Sequence, residues 1–336
     1  MTNGTPPFGR TVRIKGTGSY VPERILTNRE LESIVDTTDE WIYSRTGMRE
    51  RHIAADHEAT SDLAAIAAQR AIENSGLTPA DMDMILVCTS SPDMFFPNTA
   101  CLVQKKIGAH RAFCFDMEAA CSGFLYGLEV GRQFVQSSSA ENVLVIGAEK
   151  ISPFVNWKDR TTCVLFGDGA GAAVLQAGNG RGIMETIMGS DGLLADLLIM
   201  PGGGSRYPPT PETLKSGIHF IQMQGREVFK HAVSNMTKAA LDILKHTGVS
   251  IADVKYIIPH QANARIIHAI GQRLGGRPDQ VYMNVERYGN TSAASVILAL
   301  DEVARGGQLE KGDLLLFVVF GAGFTWGAML MEWDNS

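Results

Sequence analysis

The sequence predicts an α/β protein built from two similar halves. Apolar, β-rich runs alternate with helical patterns, and GLTPADMDMILVCT (76–89) resembles GVSIADVKYIIPHQ (248–261). Both stretches read as the end of a helix, a glycine, a short turn containing Ala-Asp and then an apolar strand. The two stretches lie much farther apart than the period of a solenoid repeat, so we interpret them as two copies of one α/β unit packed together.

Continuous apolar runs are typical of strands that are buried on both faces. In chain order these runs are MILVCTS (84–90), NVLVIGAE (142–149), YIIPH (256–260) and DLLLFVVFG (313–321). The helical patterns between them include SDLAAIAAQRAIENSG (61–76) and GREVFKHAVSNMTKAALDILKHTG (225–248), each ending at a glycine. We place the boundary between the halves near residue 180, which gives 1–180 and 181–336. A Gly- and Pro-rich segment around 192–217 interrupts the second half and is predicted to be an inserted loop.

Composition excludes several classes of function. The chain has 336 residues, 45% apolar and 20% charged, which suits a globular protein with a large core. A net charge of −6 and the lack of a Lys/Arg run argue against a nucleic-acid partner. The segment MTNGTPPFGRTVRIKG (1–16) lacks the apolar core of a signal peptide. No apolar run approaches the roughly 18 residues of a membrane helix, so we expect no membrane insertion.

Cysteine usage indicates a reduced protein. The five cysteines form no C-x-x-C pair and their number is odd: Cys88, Cys101, Cys114, Cys121 and Cys163. Free thiols and a cytoplasmic location are therefore expected. Neither Cys nor His residues cluster at ligand spacing, so no metal site is predicted.

Cys121 is the candidate nucleophile. It lies in FDMEAACSGF (115–124), which reads as a strand, a tight passage and the start of a helix. A thiol at a helix N-terminus meets the positive end of the helix dipole, which favours the thiolate. The alternative is a buried packing thiol, and the other four cysteines, within or beside apolar runs, are assigned that role.

His260 and Asn290 are candidate partners of this thiol. His260 follows a buried strand in IIPHQANARI (257–266), the usual place for functional groups in α/β folds. Asn290 precedes a helix of small residues in ERYGNTSAAS (286–295). The duplication aligns His260 with Cys88 and places Asn290 near Cys121, so the loops would converge between the halves. A structural histidine and a helix-capping asparagine remain the alternatives, and an amide donor to an oxyanion is the functional interpretation.

Two glycine-rich stretches have simpler alternatives. VVFGAGFTWGAML (318–330) is either a hairpin turn or a turn that holds a backbone N–H beside the thiol. FGDGAGAAV (166–174) is predicted to join two strands, TCVLF and AAVLQA. Because a dinucleotide-binding loop needs a helix after it, that interpretation is rejected.

Several motifs together resemble the β-ketoacyl-acyl carrier protein synthase III family over nearly the whole chain. They are DTTDEWIYSRTGMRERHI (36–53), the ACSGF around Cys121, DRTTCVLFGDGAGAAVL, PHQANARI, GNTSAAS and FGAGFTWG. The resemblance implies a thiolase-like, five-layered αβαβα fold of two duplicated βαβαβαββ halves, and a homodimer. It implies decarboxylative Claisen condensation of a short acyl-CoA with malonyl-acyl carrier protein through an acyl-Cys intermediate. The product would be 3-oxoacyl-acyl carrier protein, which starts fatty-acid synthesis, and no cofactor would be bound permanently.

The resemblance also implies roles for single residues. It implies a catalytic triad of Cys121, His260 and Asn290, and an oxyanion hole of the backbone N–H groups of Cys121 and Ala322. The residues implied at the CoA site are Trp41, Arg45, Arg160 and Asn263. The residues implied at the carrier-protein patch are Lys230, Arg265 and Arg273. Phe96 matches the position that closes the acyl pocket across the dimer, and its bulk motivates an acetyl starter. A core tryptophan and ordinary surface arginines are the alternatives.

Three other functions stay open at this point. Relatives use the same triad to join other acyl-CoAs in secondary metabolism, and motifs near the triad barely separate them. A cysteine hydrolase also places Cys, His and Asn in this order, but the duplicated pattern disfavours it, and peptide hydrolysis would identify it. A non-catalytic acyl or carrier-protein binder would bind the carrier protein without releasing CO₂.

Overall fold

The computed structural model describes residues 10–334, which form an α/β structure with two main sheets. In this part of the chain the strands are β1 (Val12–Tyr20), β2 (Arg24–Thr27), β3 (Glu50–Ile53), β4 (Met84–Cys88), β5 (Phe113–Met117), β6 (Asn142–Glu149), β7 (Gly169–Ala177), β8 (Ile183–Ser190), β9 (Leu198–Ile199), β10 (Gln222–Met223), β11 (Val254–Pro259), β12 (Leu314–Gly321) and β13 (Thr325–Glu332). The α-helices are α1 (Asn28–Leu31), α2 (Asp39–Thr46), α3 (Thr60–Ser75), α4 (Thr99–Ile107), α5 (Gly123–Gln136), α6 (Pro211–Lys215), α7 (Gly225–Thr247), α8 (Ala264–Leu274), α9 (Val285–Tyr288) and α10 (Ala294–Arg305). Short 3₁₀ turns cover Pro79–Asp81, Ala120–Ser122, Ser152–Phe154, Gly192–Leu197, Ile251–Asp253 and Pro278–Gln280.

The two main sheets share one pattern of pairing. The first has the order β1-β7-β6-β4-β5, and the second has the order β11-β12-β13-β8. In each sheet one pair of corresponding strands, β4 with β6 and β11 with β12, is parallel, and the next two pairings are antiparallel. In the second sheet the counterpart of the β4–β5 pairing is a single parallel bridge between Ile257 and Val281. The pairing reproduces the duplication that the sequence predicts.

The sheets and helices stack in five layers. Helices α3 and α4 cover the outer face of the first sheet, and α7 and α8 cover the outer face of the second. Helices α5 and α10 lie between the sheets, in a core that includes Phe124, Leu125 and Ile297. Residues 294–301 of α10 are all buried, as expected for a helix with protein on every side. The predicted five-layered α/β fold is confirmed.

Most predicted elements are correct within a few residues. One detail is wrong: TCVLF, before the loop 166–174, is not a strand but a series of turns with one bridge, Phe166 to Asn290. Strand β7 follows directly, so the loop does not begin a helix, and the rejection of a dinucleotide site agrees with the structure. The TCVLF turns are held by Asp159, whose carboxylate accepts bonds from Thr161 and Thr162. Local side-chain bonding of this kind competes with strand formation.

Candidate active site

A cavity of about 930 Å³ opens between the two halves. Residues from both halves line it, including Cys121, His260, Asn290 and Ala322. The segment predicted to be an insertion also contributes to the wall through Ala195, Leu198, Ile199 and Met200. The structure therefore brings the three candidate side chains to one pocket, which sequence alignment of the halves had suggested.

Cys121 lies in a tight turn at the floor of this pocket. It is the middle residue of the 3₁₀ turn Ala120–Ser122, directly before α5, and Ala120 has a φ of +45°, which is rare outside glycine. The end of β12 packs against this turn. A Cβ at Gly321 would come within 2.8 Å of the Cys121 backbone nitrogen, so only glycine permits the approach.

The surroundings of Cys121 act on the pKa of its thiol in two directions. Burial is the largest cause of a rise in the pKa of this thiol to about 12, and the carboxylates of Glu149 and Glu118 add to the rise. The hydrogen bond to the Ser292 side chain acts in the opposite direction. Desolvation therefore acts against the thiolate that the helix terminus is expected to favour. The raised pKa favours the thiol over the thiolate at rest, and a thiol needs a proton acceptor as it is acylated.

His260 is held as a neutral imidazole. Its backbone N–H donates to Val318 O at 2.8 Å, which fixes it at the end of β11, and burial lowers its pKa to about 3. Its Nδ1 lies 2.6 Å from Ser295 Oγ, and that oxygen accepts from the Gln261 backbone N–H at 3.3 Å. We assign the Ser295 hydroxyl as the donor to Nδ1, which leaves the hydrogen of the neutral ring on Nε2.

Asn290 is fixed by its backbone and by its side-chain oxygen. Its N–H donates to Leu165 O at 2.8 Å, and its Oδ1 accepts from the Ser292 N–H at 2.9 Å. Helix α10 begins only at Ala294, with Ala293 at the N-cap, so Asn290 does not cap that helix. Because Oδ1 already accepts from the Ser292 backbone N–H, the NH₂ group is the part of the side chain that can donate to a molecule in the pocket.

Sequence reasoning missed a buried carboxyl beside the thiol. Glu149, at the end of β6, is fully buried and accepts hydrogen bonds from Ser292, Ser91 and the Ser90 backbone N–H. Burial is the largest cause of a rise in its pKa to about 7. The signal was present, because Glu149 ends an apolar strand in the same way that His260 follows one.

Aromatic and basic side chains surround the mouth of the pocket. Trp41 is only partly buried, so it is not a core residue, and Arg45 and Arg160 lie over its ring at 5.1 and 4.9 Å from the centroid. Asn263 caps α8 by accepting from the Arg265 N–H at 2.8 Å and donates to Arg45 O at 3.1 Å. All of these residues line the pocket.

Three predicted site residues lie away from the pocket lining. Lys230 and Arg273 are exposed on α7 and α8, and Lys230 pairs with Glu227 at 3.7 Å. Phe96 is 86% exposed, and the neighbouring Phe95 is 78% exposed. Arg226, which the sequence did not single out, is exposed at the mouth and lines the pocket.

Among the helices within residues 10–334, none combines the length and apolarity that crossing a membrane requires.

Comparisons with known proteins identify one family of enzymes. Residues 115–192 match the family described as 3-oxoacyl-[acyl-carrier-protein] synthase III, and residues 244–333 match its C-terminal part. A protein of Caldanaerobacter subterraneus subsp. tengcongensis, named β-ketoacyl-[acyl-carrier-protein] synthase III, is 54% identical over 96% of this chain and 98% of its own length. A protein of the same name in Clostridioides difficile is 50% identical over 95% of this chain and 98% of its own.

Solved structures show the same relationship. The crystal structure of 3-oxoacyl-[acyl-carrier-protein] synthase III from Aquifex aeolicus has a TM-score of 0.90 at 44% identity and covers 96% of this chain and 100% of its own. A priming β-ketosynthase of the R1128 polyketide pathway has a TM-score of 0.91 at 35% identity, covering 99% of each chain. The chain thus belongs to the β-ketoacyl-[acyl-carrier-protein] synthase III family of acyl-transferring condensing enzymes, and its fold is the thiolase-like fold of that family.

Proposed function

We propose that the protein condenses a short acyl-CoA with malonyl-acyl carrier protein, and that acetyl-CoA is the preferred acyl donor. The product is 3-oxoacyl-acyl carrier protein, and the reaction starts fatty-acid synthesis. The observation that carries the proposal is the meeting of a thiol, a neutral imidazole and an oriented amide, those of Cys121, His260 and Asn290, in one pocket. Family membership supports the same reaction.

In the first half-reaction Cys121 attacks the thioester carbonyl of acyl-CoA. A bond forms between Sγ and the carbonyl carbon, and the bond from that carbon to the CoA sulfur breaks, which leaves an acyl-Cys121 thioester. The backbone N–H groups of Cys121 and Ala322 are proposed to hold the oxyanion, and the close contact of Gly321 with the Cys121 nitrogen supports this pairing.

In the second half-reaction malonyl-carrier protein takes the place of CoA. His260 Nε2–H and the Asn290 amide donate hydrogen bonds to the malonyl thioester oxygen and stabilise the enolate that remains when CO₂ leaves. The enolate carbon attacks the acyl-Cys121 carbonyl, and Sγ departs. No permanently bound cofactor is needed, because the substrates and these side chains supply every group.

The mouth of the pocket is proposed to bind CoA. The partly exposed Trp41 ring offers a face for the adenine, and Arg45 and Arg160 beside it offer positive charge for the phosphates. Asn263 is proposed to bond the pantetheine arm, for which it must exchange its present contact with Arg45.

The proposed preference for a short acyl starter depends on Phe96, whose ring is proposed to close the acyl pocket of a partner subunit. We expect a higher kcat/KM for acetyl-CoA than for octanoyl-CoA, because a bulky ring leaves room for a short chain only. The assay follows CO₂ release and 3-oxoacyl product formation from malonyl-carrier protein with each acyl-CoA. A preference for the six- to eight-carbon donors would contradict an acetyl starter, and absence of product with every donor would contradict the proposed reaction.

Phe96 also supports a homodimer. Met94, Phe95 and Phe96 form an exposed apolar loop, and the sheet edge at β5, with the half-exposed Phe113, lies in the same half of the chain. Exposed apolar side chains and an open sheet edge each favour association. Light scattering at the mass of a single 36.3 kDa chain would contradict the dimer.

Two further proposals concern organisation and location. Dividing the chain near residue 180 into two halves is supported by the strands, since each main sheet takes all of its strands from one side of that point. A cytoplasmic location is supported by the five free cysteines and by the proposed use of CoA and a carrier protein.

Lys230, Arg265 and Arg273 are proposed to dock the acidic carrier protein. We expect Arg273→Glu to lower kcat/KM for malonyl-carrier protein by about tenfold at low ionic strength, with a smaller loss at high salt. Acylation of Cys121 by free acyl-CoA should be unchanged, since Arg273 lies outside the pocket. Lys245→Glu is the matched control, because Lys245 lies near the C-terminal end of α7, far along the helix from Lys230. Equal losses in both variants would show a general charge effect and contradict the patch.

A further inference from the structure

Glu149 is a buried carboxyl that the reaction described so far does not use. Its side chain is 0% exposed, and Oε1 accepts from Ser292 Oγ at 3.0 Å. Oε2 accepts from Ser91 Oγ at 2.5 Å and from Thr89 Oγ1 at 3.3 Å, and the Ser90 backbone N–H adds a bond at 3.1 Å to Oε1. Within the described residues no Lys, Arg or His side chain forms an ion pair with it. Only uncharged donors thus hold this buried acid next to the nucleophile. Burial of a carboxyl without a charged partner costs free energy, and such groups are typical of functional sites.

Ser292 links this carboxyl to the thiol. Its hydroxyl bonds Glu149 on one side and lies within hydrogen-bonding reach of Cys121 on the other. Its backbone has a φ of +49°, and its N–H is held by Asn290 Oδ1. The strained backbone is fixed by neighbours in the position that places the hydroxyl between thiol and carboxyl.

His260 is a poor alternative acceptor for the thiol proton. Its Nδ1 is occupied by Ser295, and Nε2 carries a hydrogen in the arrangement derived above. Burial holds its pKa far below neutrality, so it gains a proton only at a large cost in free energy.

We propose that Glu149, acting through Ser292, accepts the proton of Cys121 during acylation and returns it when the thiol is regenerated. The inference rests on the proposed condensation. As Sγ attacks, its proton passes to Ser292 Oγ while the Ser292 proton passes to Glu149 Oε1, and the departing CoA thiolate takes a proton from water. In the second half-reaction Sγ leaves as a thiolate and recovers the stored proton by the reverse path. Each turnover then consumes one proton from solvent, which matches the loss of a carboxylate as CO₂.

The pH dependence follows from the charge on Glu149. The titratable groups around it are the thiols of Cys121 and Cys88, while Glu118 approaches through Ser90. The ammonium of the adjacent Lys150 is turned away, to the carbonyl oxygens of Ala55 and Glu58. The carboxyl must be ionised to accept a proton. Acylation should therefore slow as the pH falls through the pKa of Glu149, which is about 7.

Two reactions of Cys121 test the relay: alkylation by iodoacetamide and acylation by acetyl-CoA, each followed by intact mass over pH 5–9. Glu149→Gln should slow both by about 10²-fold near neutral pH and remove the inflection near 7. Ser292→Ala should give the same loss. The double variant should be no slower than either single one, because the two groups act in one path.

An electrostatic effect alone predicts the opposite sign. The Glu149 carboxylate raises the pKa of Cys121, so its neutralisation without a relay would make the thiol more acidic and alkylation faster. Faster or unchanged alkylation in Glu149→Gln, with the inflection retained, would overturn the proposal. Asp301→Asn is the matched control, because Asp301 is also buried and bonded by two hydroxyls, of Thr17 and Ser19, away from the pocket.

The outcomes separate this proposal from the proposed function. If acyl-CoA fails to acylate the wild type, the condensation is contradicted, while alkylation still reports on the relay. If the wild type is acylated and both variants keep its rate and pH profile, only the relay is contradicted. Ser292→Ala removes a single hydroxyl, so it provides the answer even if Glu149→Gln does not fold.

Discussion

Cys121→Ala is expected to abolish the mass gain of one acyl group that the wild type shows with acetyl-CoA. Removal of a catalytic nucleophile costs at least about 10³-fold in comparable triads, since no other group can form the covalent intermediate. Within residues 10–334, Cys121 is the one cysteine that lines the pocket, so no other thiol is placed to take over its role. Intact-protein mass after mixing with acetyl-CoA and with octanoyl-CoA measures the effect.

Cys101→Ala is the control for this prediction. Cys101 is also a half-buried free cysteine, but it lies on α4 outside the pocket, so its loss should leave acylation unchanged. A mass gain that persists in Cys121→Ala would show that another group is the nucleophile. No gain in the wild type with any donor would show that Cys121 is not poised for acyl transfer.

Much of the fold could be predicted because strong local signals agree with the global arrangement. Buried strands such as β6 and β12 read as uninterrupted apolar runs, and the repeated Gly and Ala-Asp turns mark equivalent points in both halves. The meeting of Cys121 and His260 in one pocket could be predicted because equivalent loops of two duplicated halves are expected to meet between the halves. These predictions depend on short stretches of sequence, which pattern reasoning resolves well.

Protonation states could not be predicted in this way. The helix terminus beside Cys121 is visible in the sequence, but the burial that raises the pKa of the thiol depends on segments distant in the chain, such as the end of β12. Glu149 was missed for a similar reason, because its three hydroxyl partners come from residues 89–91 and 292. The wall formed by residues 195–200 also escaped prediction, since a glycine-rich loop carries little directional signal.

His260→Ala and Asn290→Ala are expected to leave acylation intact and to slow decarboxylation of malonyl-carrier protein. Each loss should be about 10²–10³-fold, or roughly 2.7–4 kcal/mol, which is typical of one donor removed from a developing oxyanion. CO₂ release measures this step and intact mass measures acylation. His268→Ala, on the exposed side of α8, should change neither reaction.

The same pair of assays distinguishes the two possible roles of His260. As a donor, it stays neutral throughout pH 5–9 because its pKa is about 3, so decarboxylation should show no inflection from its titration. As the base for Cys121, its removal would slow acylation as well as decarboxylation. Slowed acylation would contradict the relay through Ser292, since the relay requires that the thiol proton does not pass to the imidazole, whereas slowed decarboxylation alone agrees with the donor role. Cys121→Ala should give the reverse pattern, with CO₂ release retained and acylation lost, because its His260 and Asn290 donors remain in place.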